Sequence, residues 1–315
     1  MTNNFKNDVL EGLRKTSKTL PSKYFYDAIG DKIFIEIMNM PEYYLTKAEL
    51  DIFKNKTQQI IDNLQLNKKQ YFELVELGAG DGTKTKELLK ELLHQNFDFS
   101  YLPIDISKDS LNHLEKKLKN ELPKLNVISK QGDYFEILDS LNKSDIPKVV
   151  LFLGSNIGNM TDENAKVFIK KLGDSLQKND KVLLGVDLIK SEAIVLPAYD
   201  DKNGITKRFN LNLLNRINKE LAADFNIFEF NHTATYKEEE GIARSFLVSG
   251  KNQKVTFKNA EESFIFKKGE KIHTETSRKY NDEILKEILD ETNLIIKEKL
   301  MDTKEYFADY ILVKS

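Results

Sequence analysis

The chain predicts an α/β fold, a doubly wound and mostly parallel sheet, joined to a second domain of α+β type. Three observations carry that expectation. From about residue 70 to 187, short apolar runs alternate with amphipathic stretches of helical length, the pattern of βαβ units. After Ser191 the alternation stops and gives way to one long amphipathic segment followed by closely spaced alternating runs. Two further apolar runs near the C-terminus fit a hairpin that closes the same parallel sheet.

In chain order, residues 1–54 read as mostly helical. A polar first helix precedes the aromatic segment Lys23-Tyr24-Phe25-Tyr26-Asp27, and a helix over 31–39 precedes Pro41-Glu42-Tyr43-Tyr44. Thr46 followed by Glu49 has the capping-box spacing, which places a helix start at 47. Strands are expected over Phe72–Leu77, 101–106, 126–131, 149–154 and 182–187, with helices over 83–94, 107–120, 135–140 and Asp162–Ser175. Phe209, Leu213, Ile217 and Leu221 step by four along one face of a helix over 206–222. Short alternating runs over 226–236, 243–248, 254–257 and 263–266 suggest an antiparallel sheet, and a helix over 281–291 precedes strands at 294–300 and 307–313. Residues 55–190 and 279–315 would then form the ligand-binding core, and 1–54 with 191–278 the second, substrate-binding domain.

Composition narrows the function. Of the 315 residues, 40% are hydrophobic and 31% charged, an ordinary globular balance. Lys+Arg 48 against Asp+Glu 50 leaves a net charge of -2, which gives no electrostatic reason to expect nucleic acid or an acidic membrane as partner. With no cysteine there is no disulfide, thiolate metal site or cysteine nucleophile. His94, His113, His232 and His273 lack helical ligand spacing, so no metal is expected. The N-terminus lacks a signal-peptide apolar stretch and no run is long enough to span a bilayer, so a cytoplasmic protein and a monomer are expected.

The strongest chemical signal is Leu74-Val75-Glu76-Leu77-Gly78-Ala79-Gly80-Asp81-Gly82-Thr83. A strand ends at an acid, turns through three glycines and opens a helix, so backbone can approach a ligand closely at a helix N-terminus. A dinucleotide fingerprint needs its third glycine at 83, where this chain has threonine. The G-x-G-x-G spacing instead resembles motif I of class I S-adenosylmethionine-dependent methyltransferases. Asp105 closes the second strand, where a carboxylate can accept from both ribose hydroxyls, and Asp133-Tyr134 follows the third, beside the expected adenine. These strand ends, in order, favour S-adenosylmethionine as cofactor. The fourth strand runs into Phe152-Leu153-Gly154-Ser155-Asn156-Ile157-Gly158-Asn159-Met160, either a ligand-edge loop or a tight turn in which Asn159 caps the next helix.

Together with Pro41-Glu42-Tyr43-Tyr44-Leu45-Thr46, Leu184-Gly185-Val186-Asp187-Leu188, Ala198-Tyr199-Asp200-Asp201, Phe209-Asn210 and Thr274-Glu275-Thr276-Ser277, these stretches resemble the histidine Nα-methyltransferase family, the hercynine-forming enzymes of ergothioneine biosynthesis. The resemblance spans nearly the whole chain in unbroken order. It implies a class I methyltransferase Rossmann-like core with a second substrate domain. It further implies that Gly78, Gly80, Lys84, Asp105, Asp133 and Tyr134 contact the cofactor. Tyr26 and Tyr43 would orient the substrate amine, Asn159 and Tyr199 would hold the carboxylate, and Glu275 and Ser277 would receive an imidazole. Tyr24, Phe25 and Tyr44 read as packing residues.

The implied activity is methylation of the α-amino group of L-histidine, up to the trimethylated betaine, on a small-molecule amino-acid substrate. One departure bears on the substrate: family enzymes carry methionine on the strand near 242–247, where this chain has Ser245, a smaller polar residue that enlarges or wets the pocket. Two alternatives stay open, the same reaction on another amino acid or histidine derivative, and a non-catalytic S-adenosylmethionine-binding protein that retains the fold.

Overall fold

A computed structural model describes residues 2–133, 137–138 and 144–315. The chain divides into two compact units, Met1–Tyr44 with Lys190–Ser277, and Leu45–Ile189 with Arg278–Ser315.

The larger unit carries, among the described residues, an eight-stranded sheet. In chain order its strands are β1 (Phe72–Leu77), β2 (Phe99–Asp105), β3 (Asn126–Val127), β4 (Lys130–Gln131), β5 (Lys148–Phe152), β6 (Lys181–Asp187), and β12 (Leu294–Met301) with β13 (Phe307–Lys314) at the C-terminus. Across the sheet the order is β12-β13-β6-β5-β1-β2-β3, with β4 also pairing β2. β1, β2, β5 and β6 run parallel, and β13 inserts antiparallel between β6 and β12. The strand expected over 126–131 is two short pieces paired with successive parts of β2. Strand order reverses between β1 and β5, so the carboxyl edge there is where such sheets open a ligand crevice.

Alternation along the strands separates two cores. Val75, Val150, Val182, Leu184 and Leu312 face Phe168, Ile169 and Leu172 of α7 (Asp162–Ser175) and Leu285 and Ile288 of α10 (Asp282–Leu289). Leu74, Val149, Leu151, Leu183 and Ile311 face the other way, onto α3 (Leu45–Asn55), α4 (Thr57–Leu64), α5 (Thr85–His94) and α6 (Lys108–Glu121). Side-chain caps fix the helix starts at Ser107, Thr161 and Asn281. The helix expected over 135–140 lies largely outside the described residues; Ile137 and Leu138 are helical and buried.

One expected boundary needs correction. The sequence division assigned 45–54 to the smaller domain, but Ala48, Ile52 and Phe53 of α3 are buried in the core of the larger unit, and the boundary falls at Tyr44 and Leu45. The capping reading of Thr46 also fails, because α3 begins at Leu45 and Thr46 lies inside its first turn.

The smaller unit packs α1 (Thr2–Arg14), α2 (Ala28–Asn39), α8 (Glu192–Tyr199) and α9 (Ile205–Leu221) with β7 (Phe230–Lys237), β8 (Ile242–Ser249), β9 (Gln253–Phe257), β10 (Glu262–Phe266) and β11 (Lys271–Arg278). Its single expected antiparallel sheet is two: β11-β8-β7 and the hairpin β10-β9. Its core gathers Phe5, Val9 and Leu13 of α1, Ile33 and Ile37 of α2, Phe209, Leu213 and Ile217 of α9, and Phe230, Leu247 and Phe257 from the strands. α2 starts three residues earlier than expected because the Asp27 carboxylate accepts from the Ile29 and Gly30 N–H groups at 3.1 and 2.7 Å.

Candidate active site

The glycine turn after β1 has the conformation its sequence demands. Gly78, Gly80 and Gly82 take φ of 76°, 53° and 64°, the left-handed region that glycine enters without a Cβ clash. The Gly78 N–H donates to the Ile104 carbonyl at 2.8 Å, which ties the turn to β2. Asp105 lies between turn and helix: one oxygen accepts from the Gly80 N–H at 3.2 Å and the other from the Ser107 N–H at 2.9 Å. Burial raises the Asp105 carboxyl above the ordinary range, while these backbone donors act to lower it. A Cβ at Gly80 would meet nothing within 4 Å, whereas one at Gly82 would lie 2.3 Å from Leu114 Cδ1. Gly82 therefore serves packing, and Gly80 borders open space beside Asp105. That open cradle, with exposed backbone and a carboxylate at its rim, fits a nucleoside cofactor.

Behind the turn, Glu76 is buried and accepts from Tyr101 Oη at 2.5 Å and Thr85 Oγ1 at 2.7 Å. Burial pushes its carboxyl up to about 7 against the lowering effect of those two hydroxyls. Lys84 precedes α5, and its ammonium pairs with Glu49 of α3. Burial lowers the Lys84 pKa, but Glu49 outweighs that effect and holds the ammonium above its usual value. Asp133 is exposed, and Tyr134 lies outside the described residues. Asn159 ends the short 3-10 turn Asn156–Asn159 and is exposed. The next helix is capped by Thr161, whose side chain accepts from Asn164, so the capping role weighed for Asn159 belongs to Thr161.

In the smaller unit five of the expected side chains fall into hydrogen-bonded or aromatic groups. Tyr199 Oη, at the end of α8, donates to Ser277 Oγ on β11 at 2.7 Å, and both residues are buried. On the same sheet, Ser245 Oγ of β8 donates to Glu275 Oε2 of β11 at 3.0 Å. The buried Asn210 of α9 accepts from Thr274 Oγ1 at 2.7 Å and so fixes the strand next to Glu275. Tyr26 and Tyr43 both set edges against Phe34, with ring centroids at 5.4 and 6.2 Å, and Tyr26 also packs on Phe209. Phe25 is core, Tyr24 packs at a tilt against Phe5, and Tyr44 carries the buried Lys190 ammonium at 3.2 Å from its hydroxyl.

Sequence reading missed His232, Asp201 and Glu49. His232 Nε2–H donates to the Tyr199 carbonyl at 2.8 Å, which fixes the end of α8, and burial holds the imidazole below its usual pKa. Asp201 caps α9 through the Ile205 and Thr206 N–H groups at 3.0 and 2.7 Å. Among the described residues no group of His, Asp and Glu is arranged to hold a metal, and no helix is long and apolar enough to cross a membrane.

Comparison with known proteins identifies the family. Residues 5–314 match the family described as "Histidine-specific methyltransferase, SAM-dependent". The histidine N-alpha-methyltransferase of Mycobacterium tuberculosis is 34% identical over 275 residues, covering 87% of this chain and 84% of that protein. The enzyme of the same name from Mycolicibacterium smegmatis is 34% identical over 278 residues, covering 88% and 85%. The L-tryptophan methyltransferase trpM of Psilocybe serbica is 27% identical over 325 residues, covering 95% and 90%. The sheet with its antiparallel insertion is the class I Rossmann-like methyltransferase fold, and its cofactor is S-adenosylmethionine. The chain belongs to the family of histidine-specific, S-adenosylmethionine-dependent methyltransferases.

Proposed function

We propose that this enzyme methylates the α-amino group of L-histidine and continues to the trimethylated betaine. The observation that carries the reading is the match over residues 5–314 together with the Ser245–Glu275 and Tyr199–Ser277 hydrogen bonds, which set a carboxylate and a hydroxyl side by side on β11. Glu275 would accept from an imidazole N–H, Ser277 would serve the ring's other side, and Tyr199 would reach the substrate carboxylate. Tyr26 and Tyr43, held by Phe34, would orient the amine lone pair.

The bound cofactor supplies an electrophilic sulfonium methyl group. The chain's own work is then positioning and charge: an α-amine with a pKa of about 8 needs only a modest shift to be neutral for attack. Gly78, Gly80 and Asp105 would hold the adenosine half, with Asp133 and Tyr134 beside the base and Lys84 at the amino-acid end. Aromatic faces near the amine would favour the growing ammonium by cation–π attraction.

A second reading, another amino acid as substrate, draws support from Ser245 and from the similarity to a protein named as a tryptophan methyltransferase. Mass spectrometry of the enzyme incubated with S-adenosylmethionine and an equimolar mixture of amino acids separates the two. Histidine gaining three methyl groups is the expected product. Methyl groups on a different amino acid would move the assignment to the second reading, and no methylated amino acid at all would end both.

A further inference from the structure

A buried cluster in the larger unit combines three ionisable side chains that are distant in sequence. Glu49 of α3 is fully buried, and its two oxygens accept the Gly154 N–H at 2.8 and 3.0 Å while the Lys84 ammonium pairs with it. Asp309 of β13 is fully buried too, and among the described residues no hydrogen-bond donor reaches either of its oxygens. Between the two acids stands Gly185 of β6, the partner of Asp309 in register. A Cβ there would lie 2.3 Å from Glu49 Oε1 and 2.9 Å from Asp309 Oδ1, so the missing side chain is what admits both carboxyl groups.

The accessible member of this cluster is the lysine. Its side chain keeps 20% of its surface exposed, against 0% for Glu49. Its location is also particular: Lys84 closes the turn after β1, and its Nζ would be 3.3 Å from a Cβ on Gly154, just past the end of β5. β1 and β5 are the neighbours at which strand order reverses. A ligand lying along the carboxyl edge meets this ammonium at the reversal.

We propose that Glu49, itself anchored by the Gly154 N–H, is a positioning residue that holds the Lys84 ammonium at the strand-order reversal to receive the α-carboxylate at the methionine end of the cofactor. This inference rests on the reading in which Lys84 contacts S-adenosylmethionine. Lysine is a flexible point charge, and a fixed carboxylate behind it limits the rotamers it loses on binding an anion. Burial and the neighbouring Glu49 charge both raise the Asp309 carboxyl well above the usual carboxylate range, against the pull of Lys84. Glu76, the other acid acting on Lys84, is itself buried and raised.

The test compares two ligands by calorimetry on the full chain: S-adenosylhomocysteine, and 5′-methylthioadenosine, which has the adenosine and thioether but no amino-acid end. Glu49→Gln is expected to weaken S-adenosylhomocysteine about tenfold, the scale of one charge-assisted contact, and to leave 5′-methylthioadenosine within about twofold. Lys84→Met should show the same selective loss, and the double variant little more than either alone. Equal losses for both ligands in Glu49→Gln, or no loss for either, would overturn the positioning role. If Lys84→Met loses no selectivity, the contact between Lys84 and the cofactor falls, and the inference falls with it. Gly185→Ala gives a second measure that keeps every charge, since its methyl displaces the Glu49 oxygen. It should again lose S-adenosylhomocysteine selectively, and an equal loss of both ligands would count against the proposal.

Discussion

Tyr101 on β2 donates its hydroxyl to Glu76 on β1 at 2.5 Å, directly behind the glycine turn. Thr85, the first residue of α5, donates to the other oxygen at 2.7 Å, so one buried carboxyl joins two adjacent strands to the helix that follows the turn. Its pKa of about 7 has a consequence for stability. The folded protein holds this proton between the ordinary value of 4.5 and about 7, where the unfolded chain has released it. Stability from this group is therefore complete below the lower value and declines as pH rises through the upper one. The decline amounts to about 3 kcal/mol at 1.36 kcal/mol per pKa unit. Urea midpoints between pH 5 and 8 should fall for the natural protein, and Glu76→Gln should flatten that slope.

Two of the three glycines of the turn predict opposite outcomes. Gly80→Ala faces open space and carries only the left-handed strain of φ 53°, so about 1–2 kcal/mol of stability should be lost. Its effect on cofactor affinity should exceed that, because the methyl enters the cradle beside Asp105. Gly82→Ala drives a methyl into Leu114 and should lower the melting temperature further, with a smaller specific effect on cofactor affinity. Melting curves with and without S-adenosylhomocysteine separate the two.

Glu275→Ala should raise the histidine KM by about 10–100-fold, the range for a hydrogen bond to a charged group, and leave the cofactor dissociation constant unchanged. Ser245→Ala, which removes only the donor to Glu275, should raise the same KM by less, about 3–10-fold. Unchanged histidine kinetics in Glu275→Ala would remove that residue from the substrate site.

Lys279 and Asp187 pair at 2.7 Å with neither side chain exposed to solvent. Replacing the lysine by methionine leaves a buried carboxylate without its cation, and destabilisation by about 3–5 kcal/mol is expected in urea titration. The double variant Lys279→Met with Asp187→Leu should recover much of that loss, because removing both charges avoids the unmatched one.

Legibility in the sequence follows the range over which each feature is determined. Leu74 and Val75 declare opposite faces of the sheet by position alone, and the antiparallel pairing of β12 with β13 follows from two apolar runs of similar length. The positive φ of Gly78 and Gly80 was implicit in their residue type. The helix Glu192–Tyr199 was hidden by Pro197 within it, and α2 was shortened because Asp27 was read with its aromatic neighbours instead of as a cap. Glu49 is the instructive failure. Its spacing from Thr46 suggested a local capping acid, but its partners Lys84 and Gly154 arrive from 35 and 105 residues away. No local pattern encodes such a meeting. The Ser245–Glu275 bond, 30 residues apart, is of the same kind and likewise requires the sheet to be known.

The larger unit closes itself before and after the excursion of residues 190–277. Leu188 bridges Tyr280, and the Ile189 N–H donates to the Tyr280 carbonyl at 2.9 Å, so the outgoing and returning chains lie side by side on its sheet. The excursion is thus spliced in at a single doorway, and no strand of the methyl-donor sheet is interrupted to house it. Tyr199, Ser245, Glu275 and Ser277 all belong to that inserted stretch. If these side chains receive the substrate ring as proposed, that end of the pocket can change without altering any strand of the sheet, while Tyr26 and Tyr43 come from the separate stretch 1–44.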